Sequence, residues 1–520
     1  MLPLLPAPVA GQAPTVTGYR FDITIPDTGK AIRGVADLRI RSTATGPDTL
    51  RLALVGMTVD SVQAVAIEGS GWPLTFAHDG RVLEIVLNER AKALQHVRVY
   101  YRGVPPDGLI IQTNARGRRT AFGDNWPERA RSWLPTVDDP SHKATVAFIA
   151  RVPSGWKVVG NGRLLDQPDS ARHVSFWSWI EGRPIPTYTM VLGAGQFTVS
   201  THRPVHGVPV EVWTYPEDSA FADAGPFRRA TEIVETMERL VGPFPYEKLA
   251  HVESSTRYGG MENSSAIFYP EKPYLDRTMR ESVVRHETAH QWFGDAVTER
   301  EWGHLWLSEG FASYFDLVTG AALDGDSVLT AGMRRDAAAY FASNVLDRPL
   351  VDTARQDPTK LLNENSYEKG AWVLHMLRRT VGDSAFFRGI REYYRVYRDS
   401  TAVSADFQQV MERAAGRDLG GFFRQWLWQP GYPRLTVAWR YEPADHRVRL
   451  DVEQSQPDAW GLFRLPRLEF EAVTAGGLHV RRVYSMDARA MIAFMELDEP
   501  PTAIRVDPDA RLLVTANVTP

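Results

Sequence analysis

The chain has 520 residues, 43% of them hydrophobic and 23% charged, with a formal net charge of −4. That balance is the one of an ordinary globular protein with more than one domain, and it argues against nucleic acid as a partner. The densest basic patch, Arg116-Gly-Arg118-Arg119, reads as a solvated loop. There is no cysteine, so no disulfide framework exists and any metal must be held by nitrogen and oxygen.

The opening run MLPLLPAPVAGQA is apolar, ends in small residues and carries no Lys or Arg. Residues 1–14 therefore read as a flexible Pro-rich terminus or as the remnant of a signal peptide. The compartment stays open between an extracytoplasmic home (periplasmic or secreted), slightly favoured by that terminus, and a cytoplasmic one. No apolar run is long enough to span a bilayer. From residue 15 to 203 the pattern has period two: Tyr19, Phe21, Ile23 and Ile25, then Val97, Val99 and Tyr101, then Val146, Phe148, Ala150 and Val152. Such alternation, punctuated by Gly, Pro and Asp, predicts a largely antiparallel β domain.

Near residue 220 the period changes. Phe227, Ala230, Val234, Met237 and Val241 follow i+3/i+4 steps and Gly242 closes the helix. Further helices are expected through the segment at 283–290, from Ser308 to about Leu323, from Tyr367 to Arg379, after an N-cap at Asp383, and from about Ser404 to Ala415. Pro430-Gly431-Tyr432-Pro433 breaks this pattern, and alternation returns at Leu435, Val437, Trp439 and Tyr441. The layout is β, then mainly α, then β: an α+β multidomain chain with domains expected at 15–203, 204–432 and 433–520.

The segment Val283–Asp316 holds the chemistry. His286-Glu287-x-x-His290 places two imidazoles one helical turn apart on one face, so their nitrogens reach one small ion. Glu309, nineteen positions after His290, offers a third ligand from a separate helix and leaves a fourth position open, which suits a catalytic zinc. Glu287 sits beside the ligands as a base for water. Asp316, seven residues after Glu309, faces the same side of its helix and is placed to accept the second ring N–H of a ligand histidine; Asp295 is a weaker candidate for that role. Gly259-Gly260-Met261-Glu262-Asn263 pairs close-approach glycines with a carboxylate. Tyr367 would be an oxyanion donor if it lay near the metal.

The Gly-Gly-Met-Glu-Asn run, the His-Glu-x-x-His with Glu309 at this spacing, and Tyr367-Glu-Lys-Gly370 resemble, in order and rough distance, the M1 family of gluzincin aminopeptidases. Leu307-Ser-Glu309-Gly-Phe-Ala and Ala130-Arg131…Pro135…Asp138-Asp139-Pro140…Lys143-Ala144 also look like that family. The resemblance implies a β saddle, a thermolysin-like catalytic domain and a C-terminal β-sandwich. It implies one zinc per chain, held by His286, His290 and Glu309, and peptide substrates with a free N-terminal amine. Glu262 would bind the substrate α-amino group, with Gly259, Gly260, Met261 and Asn263 around the first subsite, and Tyr367 would stabilise the tetrahedral intermediate.

Three departures stand out. The family usually carries a Gln or Glu about five residues before the Ala-Arg arginine as a second arm of the amine site; here Trp126 falls there, with Asn125 and Asp124 beside it as substitutes. Asp295 stands where the family usually has Asn. The large C-terminal helical domain of many members is absent from this sequence, which implies a more open site. The weakened second amine arm and the missing helical domain motivate one alternative, a zinc endopeptidase of the same fold; a second is a non-catalytic scaffold, as in relatives that have lost their zinc site, against which the intact ligand set argues.

Overall fold

The computed structural model describes residues 13–520 except 43–47, 67, 166–168, 172–173 and 356. Most of the 1–14 terminus thus lies outside the described residues. The chain forms two compact units, Met1–Arg300 with Tyr394–Ala402, and Glu301–Tyr393 with Val403–Pro520.

In the first unit the alternating segments become strands. Among the described residues, nine strands make the largest sheet. Its centre is Thr15–Thr24, antiparallel to Ile32–Arg41 and parallel to Lys143–Pro153. The Lys143–Pro153 strand buries every second side chain without exception, and Val146, Phe148 and Val152 are each 1% exposed. Each such apolar side chain contributes roughly 1.5–3 kcal/mol. The alternation slips once in Thr15–Thr24, where Gly18 and Tyr19 are both buried, because a register shift lies between Val16 and Gly18. The expectation of a largely antiparallel domain therefore holds, with the one parallel pairing as an addition that periodicity does not reveal.

A second sheet (Lys157–Gly160, Leu192–Gly195, Arg119–Gly123, Leu109–Thr113) and a third (Thr198–Val205, Val208–Thr214, Leu249–Ser254, Ala266–Pro270) complete the sheets that lead to the site. The expected boundary at 203/204 cuts the Thr198–Val205 strand. The basic patch is not a solvated loop: Arg116 Nη2 donates to Asp218 Oδ1 at 2.7 Å, Arg118 pairs with Glu217, and Arg119 donates to the Gly29 carbonyl.

On the Leu249–Ser254 strand of the third sheet, Glu253 is fully buried and its Oε2 accepts from the Tyr215 amide at 2.8 Å. Burial pushes its carboxyl from 4.5 up to about 9. The folded state therefore keeps a proton that the unfolded chain releases, and stability falls as pH rises from 4.5 to about 9. Glu253→Gln keeps the acceptor without the ionisation. It is expected to flatten that decline, with a higher melting temperature than the wild type at pH 8.5 and little difference at pH 5, checked by thermal melts across the range.

The helix read from Phe227 to Val241 runs Ala230–Leu240, with all five apolar positions at most 1% exposed. The Glu281–His290 helix follows. Its first residue receives both Arg229 Nε (2.8 Å) and Nη2 (2.6 Å) and also Arg285 Nη1 (2.8 Å), and an acid at a helix N-terminus complements the dipole there.

In the second unit the Ser308 helix runs Trp306–Asp324, and Ser404–Ala415 ends at Gly416 with φ 66° as expected. Tyr367 does not begin an α-helix: Asn365–Lys369 is a turn of π-helix that passes into Gly370–Val381. Asp383 lies inside the Asp383–Tyr397 helix, and its two oxygens receive Arg378 at 2.9 and 2.7 Å, so the arginine engages the carboxylate that was expected to cap. An additional helix, Ser327–Phe341, has too many alanines and arginines to show a clear period. After Pro433, two antiparallel-rich sheets follow: Ala490–Glu496, Arg447–Gln454, Arg434–Glu442 and Thr515–Thr519, then His479–Met486, Leu465–Thr474 and Pro501–Val506. Val437, Val448, Leu450, Leu468, Phe470 and Met495 are fully buried among them. No helix of the described residues is long and apolar enough to cross a membrane.

Candidate active site

The two motif histidines come together as helical spacing dictates. His286 Nε2 and His290 Nε2 are 3.1 Å apart, with ring planes at 78°. His290 is 1% exposed. Its Nδ1–H donates to the Phe293 carbonyl at 3.1 Å, so Nε2 presents its lone pair. Two ligands ~2.0–2.1 Å from one tetrahedral ion sit roughly 3.3 Å apart, close to the spacing found here. The donor set fits a divalent cation bound by nitrogen.

Glu287 is 6% exposed and Glu262 is 8% exposed. Ligand atoms of Glu262, Glu287 and His290 all lie within 4.8 Å of one another. Two buried carboxylates this close repel, and cations between or beside them relieve the repulsion.

The glycine loop is seated directly on the motif helix. Met261 and Phe268 exchange backbone hydrogen bonds of 2.8 and 2.9 Å, folding 261–268 into a tight loop. Gln291, the residue after His290, locks that loop to the helix. Its Nε2 donates to the Glu262 carbonyl (2.8 Å) and to Asp295 Oδ2 (2.9 Å), and its Oε1 accepts from the Ser265 amide (2.7 Å). Gln291 was not singled out in the sequence; its adjacency to the motif was the only signal.

Gly260 explains why the loop needs a residue without a side chain. A Cβ there would fall 2.0 Å from Glu287 Oε1 and 2.3 Å from its Cδ. Gly260→Val is therefore expected to drive the Glu287 carboxylate from its place. Misplacing a reacting group by about 1 Å costs on the order of 10²-fold, so kcat should fall by about that factor while metal content, measured by elemental analysis, stays unchanged. Gly259 is open, with nothing near a Cβ built on it.

Several expected roles shift. Asn263 is fully buried, with its Nδ2 directed to the Met261 carbonyl at 3.5 Å and its own carbonyl bonded to the Ala266 amide; it shapes the loop. Asp295 is fully buried, and the group its carboxylate holds is the Gln291 carboxamide, while the Phe293 carbonyl takes the ring N–H of His290. Burial raises the Asp295 carboxyl well above the usual range, with the nearby Glu262 adding to it. Asn125 does not serve an amine: it is fully buried, donates to the Met190 carbonyl (2.7 Å) and accepts from Trp133 Nε1 (2.8 Å). Asp124 is committed to Arg129 Nη2 at 2.6 Å. Trp126, 4% exposed, stands edge-on to Tyr258 with centroids 6.0 Å apart, next to the glycine loop.

In the second unit, Glu309 lies in the first turn of the Trp306–Asp324 helix at 6% exposure, and Asp316 lies two turns on at 8%. Tyr367 is half-buried in the π-turn. A Cβ on Gly310 would fall 2.8 Å from Cα of Gly370, and one on Gly370 would fall 2.8 Å from Cα of Gly310. The glycine after Glu309 and the glycine after Tyr367-Glu-Lys thus let two backbones cross in contact. That crossing sets the segment carrying Tyr367 against the helix carrying Glu309.

Two imidazoles one helical turn apart, Glu287 between them in sequence and Glu262 on an adjoining loop together make a cluster that could hold a divalent cation. Residues 228–426 match the Peptidase family M1 domain. Among curated proteins, the chain is 30% identical over 413 residues to "Probable aminopeptidase 2" of Sulfurisphaera tokodaii, covering 74% of this chain and 50% of that protein. It is 25% identical over 449 residues to "Probable aminopeptidase 1" of the same organism, covering 80% and 54%. The chain spans about half the length of these relatives. Among solved structures, the M1 zinc metallopeptidase from Deinococcus radiodurans superposes with a TM-score of 0.69 at 23% identity, covering 81% of this chain and 95% of that one. Residues 228–426 are thus similar to the Peptidase family M1 domain, and the chain shares its fold with the Deinococcus radiodurans metallopeptidase over most of its length.

Proposed function

We propose that the chain is a zinc-dependent aminopeptidase that binds one zinc ion and releases the N-terminal residue from peptides with a free amine. The carrying observation is the position of Glu262: a second buried carboxylate, with ligand atoms within 4.8 Å of those of Glu287 and His290, on a loop locked to the motif helix by Gln291. An endopeptidase has no need of an acid fixed at that distance from the hydrolytic base. The names of the relatives point the same way.

His286, His290 and Glu309 would hold the ion, and Asp316 would accept the second ring N–H of a ligand histidine. Zinc, when bound, supplies Lewis acidity, which polarises the peptide carbonyl and lowers the pKa of water. Glu287 takes the proton of the attacking water and returns it to the leaving amine. Tyr367 donates its hydroxyl hydrogen to the oxygen that gains charge. Glu262 pairs with the substrate ammonium, and Gly259, Gly260 and Met261 leave space for the first residue and offer backbone to it.

The test is a panel of aminoacyl chromogenic substrates with free and acetylated amines, with and without chelator. Hydrolysis of the free-amine series alone, abolished by chelation and restored by zinc at one equivalent, is expected. Equal cleavage of acetylated substrates overturns the reading.

A further inference from the structure

The Asp138-Asp139-Pro140…Lys143 segment plays no part in the chemistry above, yet it ends on an unusual contact. Lys143 opens the central Lys143–Pro153 strand of the large sheet. Its Nζ donates to the Asp295 carbonyl (2.8 Å), the Ala296 carbonyl (2.8 Å) and the Ser400 carbonyl (3.1 Å). Three acceptors match the three hydrogens of an ammonium. Two of them lie in the tight turn that follows the motif helix.

That turn is wired to His290. The Asp295 amide bonds back to the His290 carbonyl at 3.1 Å, Ala296 to the Gln291 carbonyl at 3.3 Å, and Val297 to the Trp292 carbonyl at 3.1 Å. Gly294 takes φ +114° to close it. Within the turn sits the Phe293 carbonyl that receives His290 Nδ1–H. The same turn is held from the sheet side a second time, by Tyr188 Oη donating to the Gly294 carbonyl at 3.1 Å. Val297–Glu299 then pairs in parallel with Ser400–Ala402, and the Asp399 amide bonds to the Ala296 carbonyl at 2.9 Å. Lys143 thus fastens the start of the Ser400–Ala402 strand, and the turn between the motif helix and Val297–Glu299, to the β domain.

We infer that Lys143 is a positioning residue for the metal centre: by fixing the 291–297 turn it fixes the Phe293 carbonyl, and through it the tautomer and orientation of His290. A carbonyl that orients a ligand ring governs how tightly the ring holds its ion, and loss of such support costs roughly 10–100-fold in metal affinity or activity. The inference rests on the zinc reading of the site. It also predicts a property of the metal-free chain, namely the rigidity of the turn.

The experiment compares the wild type with Lys143→Met and with Phe148→Ala, a core truncation on the same strand that lowers stability without touching the turn. Zinc release into a chromogenic chelator is expected to be at least about 10-fold faster in Lys143→Met, with kcat lowered and KM little changed. Phe148→Ala should release zinc at the wild-type rate. On metal-free protein, hydrogen exchange at residues 291–297 should rise in Lys143→Met and stay as in the wild type in Phe148→Ala. Equal zinc release and equal exchange in the two variants overturn the inference. Should Lys143→Met not fold, Tyr188→Phe removes one hydroxyl from the same turn. A small rise in both readouts supports the inference and no rise in either overturns it. A wild type that binds no zinc while the exchange differences persist instead overturns the reading of the site and leaves the turn assignment standing.

Discussion

Glu287→Gln is expected to abolish turnover while leaving the ion in place. The carboxamide has nearly the same shape as the carboxylate, so the contact with Gly260 and the helix itself are undisturbed. What it cannot do is accept a proton from water. General-base assistance contributes about 10²–10⁴-fold, and the same group is needed again to protonate the leaving amine, so a loss at the upper end of that range is expected. Zinc content should equal that of the wild type, because His286 and His290 are unaffected. A variant with more than about a tenth of wild-type kcat would move the base to another residue.

Glu262→Ala is expected to strike substrate selection. Glu262 is 8% exposed, so an ammonium placed against it is largely withdrawn from solvent, where a charge-assisted pair is strong. Removing one partner of such a pair costs on the order of 2–4 kcal/mol, or about 30- to 1,000-fold in kcat/KM at 1.36 kcal/mol per decade. The loss should fall on free-amine peptides. Acetylated peptides, cleaved poorly by the wild type, should gain relative to them, since an uncharged end no longer meets an unpaired carboxylate. An unchanged ratio of free to acetylated substrates in the variant would place the amine contact elsewhere. Trp126 and Tyr258 stand beside this loop, and Asn125 and Asp124 are already committed, so this variant tests the proposed pairing at Glu262 directly.

Much of this was legible in the chain because it is local. Period-two alternation at 143–153 can be satisfied only by a strand with one buried face, and the structure buries every second residue there. His286 and His290 meet because four residues make about one helical turn, a fact that needs no tertiary context. The same holds for the Phe227–Val241 stripe and for the helix stop at Gly416. Where local signals failed, a distant neighbour is at hand: Tyr367 sits in a π-turn that runs into Gly370, which meets Gly310 backbone to backbone.

The amino-acid sequence by itself determined most of the strand and helix content and the one-turn pairing of His286 with His290, since each follows from spacing along one element. Only the tertiary structure decided which groups serve those ligands. Gln291 secures the glycine loop, a backbone carbonyl rather than the Asp295 carboxylate takes the ring N–H of His290, and Lys143 reaches a turn more than a hundred residues away. Hydrogen bonds of that kind depend on which surfaces burial forces together. A residue pattern encodes the periodicity of one segment, but the partner of a buried donor is fixed only when another segment arrives beside it and water is expelled.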